Sequence, residues 1–431
     1  MDPAFEGLSG PAILTASMAA AALSASSLLH LLQRSHSSGF AQTYRAFQQM
    51  LRTWGIPDFD IAMAGSIGHR FAVDEAVIVR TPFCDLRSFE RRNGQRRGRI
   101  LLCAPLAGHH AVLMRETVAS LLEDADVYVT DWLDARDIPF SAGPFGIDAF
   151  VLTLQQFITA LEPRGLDILA VCQATVPALA AVSRLAEEGK PEPRSLILVG
   201  GPIDARLHPT QLDRMAMHLA PGWLEAAAMG TVPPGYPGAG RRVYPGFLQY
   251  PVLLWAQPEQ QIRMLRDLRD HWLVNPGCVP AVRSRSMAAY CAMLDMTAEF
   301  VLDTLRVVFQ EFQLPQGNWC VDGSIVRPQC LRETELLTVE GDRDSITGAG
   351  QTHAAQALCS GLPPERRAEW TIPGCDHYGL FSGPTWQEVV YPALRHWLAT
   401  HKLPVTVTNG NFACRDVPAS RPARASASGP N

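Results

Sequence analysis

Nowhere in the 431-residue chain do two cysteines form a CxxC pair, and no Gly-x-Ser-x-Gly string occurs. The first absence removes the usual zinc and thiol-redox signatures, and the second removes the commonest nucleophile motif of serine hydrolases. A basic excess is missing too. The net charge is −5, so no general attraction draws the chain to nucleic acid. The leader MDPAFEG carries no Lys or Arg, which a secretory signal would need ahead of its apolar stretch. That stretch, residues 11–32 (PAILTASMAAAALSASSLLHLL), is long enough for a bilayer but weakly hydrophobic, being rich in Ala and Ser. It reads as an amphipathic or packed helix, and no transmembrane anchoring is expected. Ten cysteines are scattered singly, and Cys103 and Cys291 lie in apolar runs where a small buried hydrophobe is expected. Reduced thiols and a cytoplasmic location follow as expectations. The pair His109-His110 has no companions at metal-ligand spacing, so no metal site is expected.

What the chain does have is strand–helix alternation. Short apolar runs at residues 100–104 (ILLCA), 126–132 (DVYVTDW), 166–171 (LDILAV), 195–199 (SLILV), 335–339 (ELLTV) and 368–372 (AEWTI) suit strands buried on both faces of a parallel sheet. Helical patterns at 113–122, 147–161, 176–188 and 350–359 separate them, which predicts an α/β fold with a mostly parallel, doubly wound sheet. Ahead of these, helices are expected to about Phe71, one of them over residues 44–54. A strand follows at 76–82, then a charged turn at 87–99 containing RRNGQRRGR. The alternation lapses after Ile203, in a stretch rich in Pro, Met and aromatics with helical segments near 211–219, 259–271 and 287–312. The expected division is residues 1–95 as a helical extension with the first strands and 96–202 as the first part of the core. Residues 203–330 are then a helical cap insertion, 331–403 the second part of the core, and 404–431 a tail whose Ser/Pro/Arg composition suits disorder.

The segment LDILAVCQATVPALAA places Cys172 between a buried strand and an Ala-rich helix, at the sheet edge where open α/β folds bind ligands. The backbone N–H of Gln173 would then face an oxyanion. Taken alone, Cys172 is as well explained as core filler. Downstream, ELLTVEGDRDSI runs a late strand into an acidic loop, and WTIPGCDHYGLFSG runs the last strand into a histidine loop. The order Cys, Asp, His is the nucleophile–acid–base order of α/β-hydrolases, with His377 as base. Spacing leaves Asp342 and Asp344 both open as the acid, with Glu340 a third choice, while Asp376 adjoins the histidine too closely to orient its ring. A second oxyanion donor is expected from the loop after the first core strand, at the N–H of Leu106 or Ala107.

The same segments resemble the intracellular polyhydroxybutyrate (polyhydroxyalkanoate) depolymerases. APLAGHHAVLMRETV and DVYVTDWLDAR look like that family's oxyanion-loop segments, AVCQATVPALAA its nucleophile segment, and GPIDARLHPT and YPGFLQ its entry to the cap. MLDMTAEFVLDTLRVVFQ, TVEGDRDSITGAGQT and DHYGLFSG are similar to its acid and histidine segments, and the likeness runs in order from about Pro57 to Leu398. The resemblance implies an α/β-hydrolase fold with a helical cap insertion and a triad of Cys172, Asp344 and His377. It implies cleavage of polymer esters through an acyl-thioester, at the surface of polyhydroxyalkanoate granules in the cytoplasm. The products would be 3-hydroxybutyrate monomers or oligomers, or an acyl-CoA if coenzyme A is the acceptor. No other cofactor is implied, and a homo-oligomer is left open.

A polymer needs a docking face, for which Tyr244, Phe247 and Trp255 are candidates. They equally suit the cap's own core. Two rivals are carried: a polyhydroxyalkanoate synthase-like acyltransferase, disfavoured because Ala170 and Ala174 stand where synthases have glycines, and a catalytically silent granule-binding protein.

Overall fold

Apolar runs too short for helices become the strands of one nine-stranded sheet. The computed structural model describes residues 44–45, 57–65, 69–92, 98–220, 222–249 and 292–404. Along the chain the sheet receives β1 (Met63–Ala64), β2 (Phe71–Arg80), β3 (Cys84–Arg91), β4 (Gly98–Cys103), β5 (Ala125–Trp132), β6 (Leu166–Val171) and β7 (Ser195–Val199). Three small strands, β8 (Gly230–Thr231), β9 (Arg242–Tyr244) and β10 (Met296–Thr297), form a separate sheet, and β11 (Cys320–Val321) and β12 (Ser324–Ile325) form a hairpin. The large sheet closes with β13 (Glu335–Gly341) and β14 (Arg367–Ile372), giving the order β1-β2-β3-β5-β4-β6-β7-β13-β14. From β5 to β14 every pairing is parallel; β1, β2 and β3 run antiparallel to their neighbours.

The strand β3 falls where sequence reading placed a charged turn at 87–99. Its alternate residues Cys84 and Leu86 are fully buried, and Arg87 next to them is neutralised from both sides, by Glu75 at 2.7 Å and Asp131 at 2.7 Å. Charges that look like a loop in one dimension are cross-strand pairs in the sheet. Of the helices expected to about Phe71, Tyr44 and Arg45 are helical and 57–64 are not, ending in β1, while 46–56 lie outside the described residues.

Each central strand sends alternate side chains to opposite faces. Leu101, Cys103, Ile168, Ala170, Leu196 and Leu198 pack beneath α2 (Ile147–Ala160) and α3 (Thr175–Glu187), where Phe150, Leu154, Leu179 and Val182 meet them. Ile100, Leu102, Leu169, Val171, Ile197 and Val199 face α1 (Arg115–Leu121) and the C-terminal α8 (Tyr391–Thr400), through Val118, Leu121, Leu394 and Trp397. Each fully buried Leu, Ile or Phe contributes about 1.5–3 kcal/mol of transfer free energy, so these two faces hold the strand ends where the chemistry sits.

Between β7 and β13 the chain leaves the sheet. Helix α4 (Gln211–His218) starts on a capping box made by Thr210 and Asp213, α5 (Trp223–Ala228) follows, and α6 (Ala298–Thr304) is capped by Thr297. Of the expected helix over 287–312, residues 287–291 lie outside the described residues, α6 begins at Ala298, and 292–297 are non-helical and stitched to the loop after β4. There His110 N–H donates to Ala292 O (3.2 Å) and Leu294 N–H donates to Gly108 O (2.7 Å). Asp295, fully buried, accepts from the Tyr44 hydroxyl and from Gly246 N–H, fastening Tyr44 and the β9 end to the same seam. The expected helices at 11–32 and 259–271, Trp255 and the expected tail at 405–431 lie outside the described residues. Between β13 and β14 lies α7 (Ala354–Leu358). Among the described residues no helix is long and apolar enough to cross a membrane, and no cluster of three or more His, Cys, Asp or Glu side chains could hold a metal.

Candidate active site

Where β6 ends, the chain must reverse into α3 within three residues. Cys172 makes the turn by adopting φ of +54°, a left-handed conformation that costs an L-residue about 1–2 kcal/mol and so occurs where something constrains it. The neighbours are small. Ala170 and Ala174 are fully buried on either side, and Thr175 turns its hydroxyl back onto the Cys172 carbonyl at 2.8 Å.

The space for this elbow comes from Gly200 and Gly201 at the end of β7, a signal that reading of the sequence passed over. A Cβ on Gly201 would lie 1.8 Å from Thr175 Oγ1 and 2.5 Å from the Cys172 carbonyl. A Cβ on Gly200, at φ of +56°, would lie 2.8 Å from Leu380 and 3.5 Å from both the His377 ring and the Asp344 carboxylate.

His377 follows β14 and is buried, with Tyr378 and Phe381 packed edge-on to its ring at 5.9 and 5.8 Å. Its Nδ1 lies 2.7 Å from Asp344 Oδ2, and Cys172 is near enough to the same imidazole to raise its pKa. Because Nδ1 is taken, Nε2 is the nitrogen left for sulfur. Burial alone would lower the His377 pKa, but the negative charges of Asp344 and Cys172 and their hydrogen bonds outweigh it and push it well above its ordinary value.

The candidate acids differ in where each carboxylate points. Asp344 follows β13; its Oδ1 accepts from the N–H groups of Ile346 (2.8 Å) and Thr347 (2.9 Å), so Oδ2 is left for the histidine. Asp342 is exposed and accepts from Gly374 N–H, and Asp376 accepts from Gly379 N–H, capping the histidine turn. Glu340, buried, spends its carboxylate on the N–H groups of Gly350, Thr352 and His353. That clamp places Thr352, whose hydroxyl both accepts from Gly201 N–H and donates to Gly201 O; Thr347 donates to Gly200 O. The acid loop and the glycine pair beside the elbow are therefore one hydrogen-bonded unit.

The loop after β4 comes to the same place. Leu106 is buried, and its backbone N–H faces the elbow, donating to Gln173 Oε1 at 3.1 Å. Ala107 is exposed, one residue further round. Gly108 takes φ of +104° beneath the Gln249 side chain, and His110 is held down to about 4 by burial, with Arg136 and His109 adding to it, so it is neutral near pH 7.

Cys172, Asp344, His377 and the backbones of Gln173 and Leu106 thus meet at the carboxyl edge of the sheet. Tyr244 and Phe247 do not join them. Phe247 is buried and Tyr244 half-buried, packed with Leu248, Tyr44 and Tyr236 inside the cap, so they form no exposed docking face.

Residues 200–402, which carry the acid, the histidine and the glycine pair, match the family described as PHB de-polymerase C-terminus. That segment carries the C-terminal domain of PHB depolymerases. The chain's strand order is that of the α/β-hydrolases, and the depolymerase domain on that fold makes it a carboxylic ester hydrolase. No curated protein sequence matches it. Solved structures similar to this chain include the Pyrobaculum calidifontis esterase, at 9% identity over 85% of this chain and 93% of that one, with a TM-score of 0.40. A mutant of the haloalkane dehalogenase DatA from Agrobacterium tumefaciens is 11% identical over 76% and 97%, with a TM-score of 0.45. The Paleococcus ferrophilus monoacylglycerol lipase is 13% identical over 77% and 99%, with a TM-score of 0.43.

Proposed function

We propose that this chain cleaves the ester bonds of poly(3-hydroxybutyrate) or a related polyhydroxyalkanoate through Cys172 as nucleophile, His377 as base and acid, and Asp344 as orienting carboxylate. The observation that carries the reading is the 2.7 Å contact of Asp344 Oδ2 with a buried imidazole whose pKa is raised by Asp344 and by Cys172, a thiol held on a left-handed turn.

His377 removes the thiol proton through Nε2, and sulfur attacks the ester carbonyl, forming the C–S bond. The resulting oxyanion lies between the N–H groups of Gln173 and Leu106. Collapse breaks the C–O bond, and the imidazolium returns its proton to the departing alkoxide, which leaves as the shortened chain end. Water, deprotonated by neutral His377, attacks the thioester. Sulfur departs, and a 3-hydroxy acid or oligomer is released; coenzyme A in place of water gives an acyl-CoA. Asp344 keeps Nδ1 protonated throughout, so that Nε2 can accept in one half-reaction and donate in the other.

Amorphous poly(3-hydroxybutyrate) granules incubated with wild type and Cys172→Ala, with and without CoA, test the proposal, with products identified by mass. Soluble hydroxy acids from wild type and none from the variant are expected. Normal release by Cys172→Ala refutes the cysteine mechanism, and polymer made from hydroxyacyl-CoA points to a synthase.

A further inference from the structure

The hydrogen bond from Leu106 N–H to Gln173 Oε1 joins residues 67 positions apart and spends the donor that the oxyanion needs. We infer that the Gln173 carboxamide is a built-in competitor for the oxyanion hole, which reserves the Leu106 donor for the transition state. The inference rests on the nucleophile assigned above.

The assignment of the amide is unambiguous, because a backbone N–H meets only an acceptor and Oε1 must therefore face Leu106. The carboxamide oxygen stands where the negative oxygen of a tetrahedral intermediate would stand, one residue along from the sulfur. Three acceptors compete for one N–H. An ester carbonyl is the weakest, since its oxygen is less basic than that of an amide. The carboxamide outbids it, so bound substrate leaves Gln173 in place. An oxyanion carries a full charge, and charge-assisted hydrogen bonds are about twice as strong as neutral ones, so the order reverses as the C–S bond forms. Leu106 N–H thus contributes almost nothing to ground-state binding, and at the barrier it contributes the oxyanion bond less the carboxamide bond given up, so the competitor withholds the donor from the substrate and not from the transition state. Meanwhile the competitor satisfies a donor that sits on a buried residue and would otherwise be unpaired.

Gln173→Met keeps the length of the side chain and removes the acceptor. A neutral hydrogen bond of ordinary net strength corresponds to about a two- to tenfold change in an equilibrium. With a soluble p-nitrophenyl butanoate substrate, KM is expected to fall by that factor while kcat moves less. The inhibition constant of the unreactive ketone analogue of the substrate should fall with it, which reads ground-state binding directly. Gln173→Glu places a charged acceptor on the same N–H that the oxyanion cannot displace, and kcat should drop by about a hundredfold or more.

If Gln173→Met instead lowers kcat about a hundredfold at constant KM and ketone affinity, the carboxamide is a donor to the oxyanion and the inference is wrong. Unchanged kinetics in both variants also overturn it. Matching thermal melts and near-ultraviolet circular dichroism exclude misfolding, and Gln173→Leu replaces the methionine variant if that one is unstable. Cys172→Ala run in parallel separates the two readings: retained activity there removes the assigned nucleophile, whereas its loss with the wrong Gln173 pattern removes only the competitor.

Discussion

Replacing Asp344 by asparagine swaps one atom, and the structure dictates how the new amide must lie. Oδ1 of the aspartate accepts from Ile346 and Thr347 N–H groups, and both bonds are inside a loop whose carboxylate is 2% exposed. An asparagine keeps its carbonyl oxygen there, because the reverse orientation sets an NH₂ against two N–H donors. Each buried donor left without an acceptor costs about 1–3 kcal/mol, so the reversal costs about 2–6 kcal/mol. The NH₂ therefore points at His377 Nδ1 and forces that nitrogen to accept, which moves the imidazole proton to Nε2. A ring protonated at Nε2 cannot take the thiol proton. At about 1.4 kcal/mol per decade the competent tautomer becomes roughly 30- to 10⁴-fold rarer. Asp344→Ala removes the tether but imposes no tautomer, so the asparagine variant should be the more damaged of the two. Single-turnover release of p-nitrophenolate at neutral pH measures the acylation step alone. An asparagine variant within threefold of wild type, or an alanine variant that is the worse, refutes the reasoning.

Two further outcomes follow from the same geometry. Gly201→Ala drives a methyl into Thr175 Oγ1 and the Cys172 carbonyl, at 1.8 and 2.5 Å. Neither the helix start nor the strained elbow has room to yield, so activity should fall at least tenfold, with a lower melting temperature, typical overpacking costs being about 1–3 kcal/mol. His377 is burdened by burial but raised overall by Asp344 and Cys172. The folded protein therefore keeps a proton that the unfolded chain loses above about 6.5. Stability from this group is complete below that value. It declines by about 1.4 kcal/mol per pH unit upward, until the folded pKa is passed. Melting temperatures of wild type and His377→Gln should converge as pH rises from about 6.5 toward 9, and parallel curves would remove the ion pair from the argument.

Much of the sheet was readable because buried parallel strands are continuous apolar runs: 166–171 and 195–199 coincide with β6 and β7. Strand β3 was not, since its arginine is neutralised by partners 12 and 44 residues away. The candidate site shows the same division. Cys172 and His377 announce themselves by standing at strand ends, whereas Asp342 and Asp344 differ only in which N–H groups the loop turns toward them. Gly200 and Gly201 carry a compositional signal, two adjacent glycines closing a buried strand, but their purpose appears only when β6 and β7 lie side by side. Gln173 was legible as a backbone donor; its side chain acts on Leu106 across a contact no local pattern encodes. Tyr244 and Phe247, aromatic and near a proline, look alike whether they meet solvent or Tyr44.

The seam between residues 108–110 and 292–294 makes the cap and the donor loop a single mechanical part. Two backbone hydrogen bonds fasten that edge, and Leu106 sits two residues from where they begin. A hinge that lifted this part of the cap would drag the oxyanion donor with it and idle the enzyme while open. Under the proposed mechanism, substrate would therefore reach the sulfur past a fixed wall, with the seam closed. Engineers seeking broader substrates should carve that wall from the cap side and leave the stitches intact.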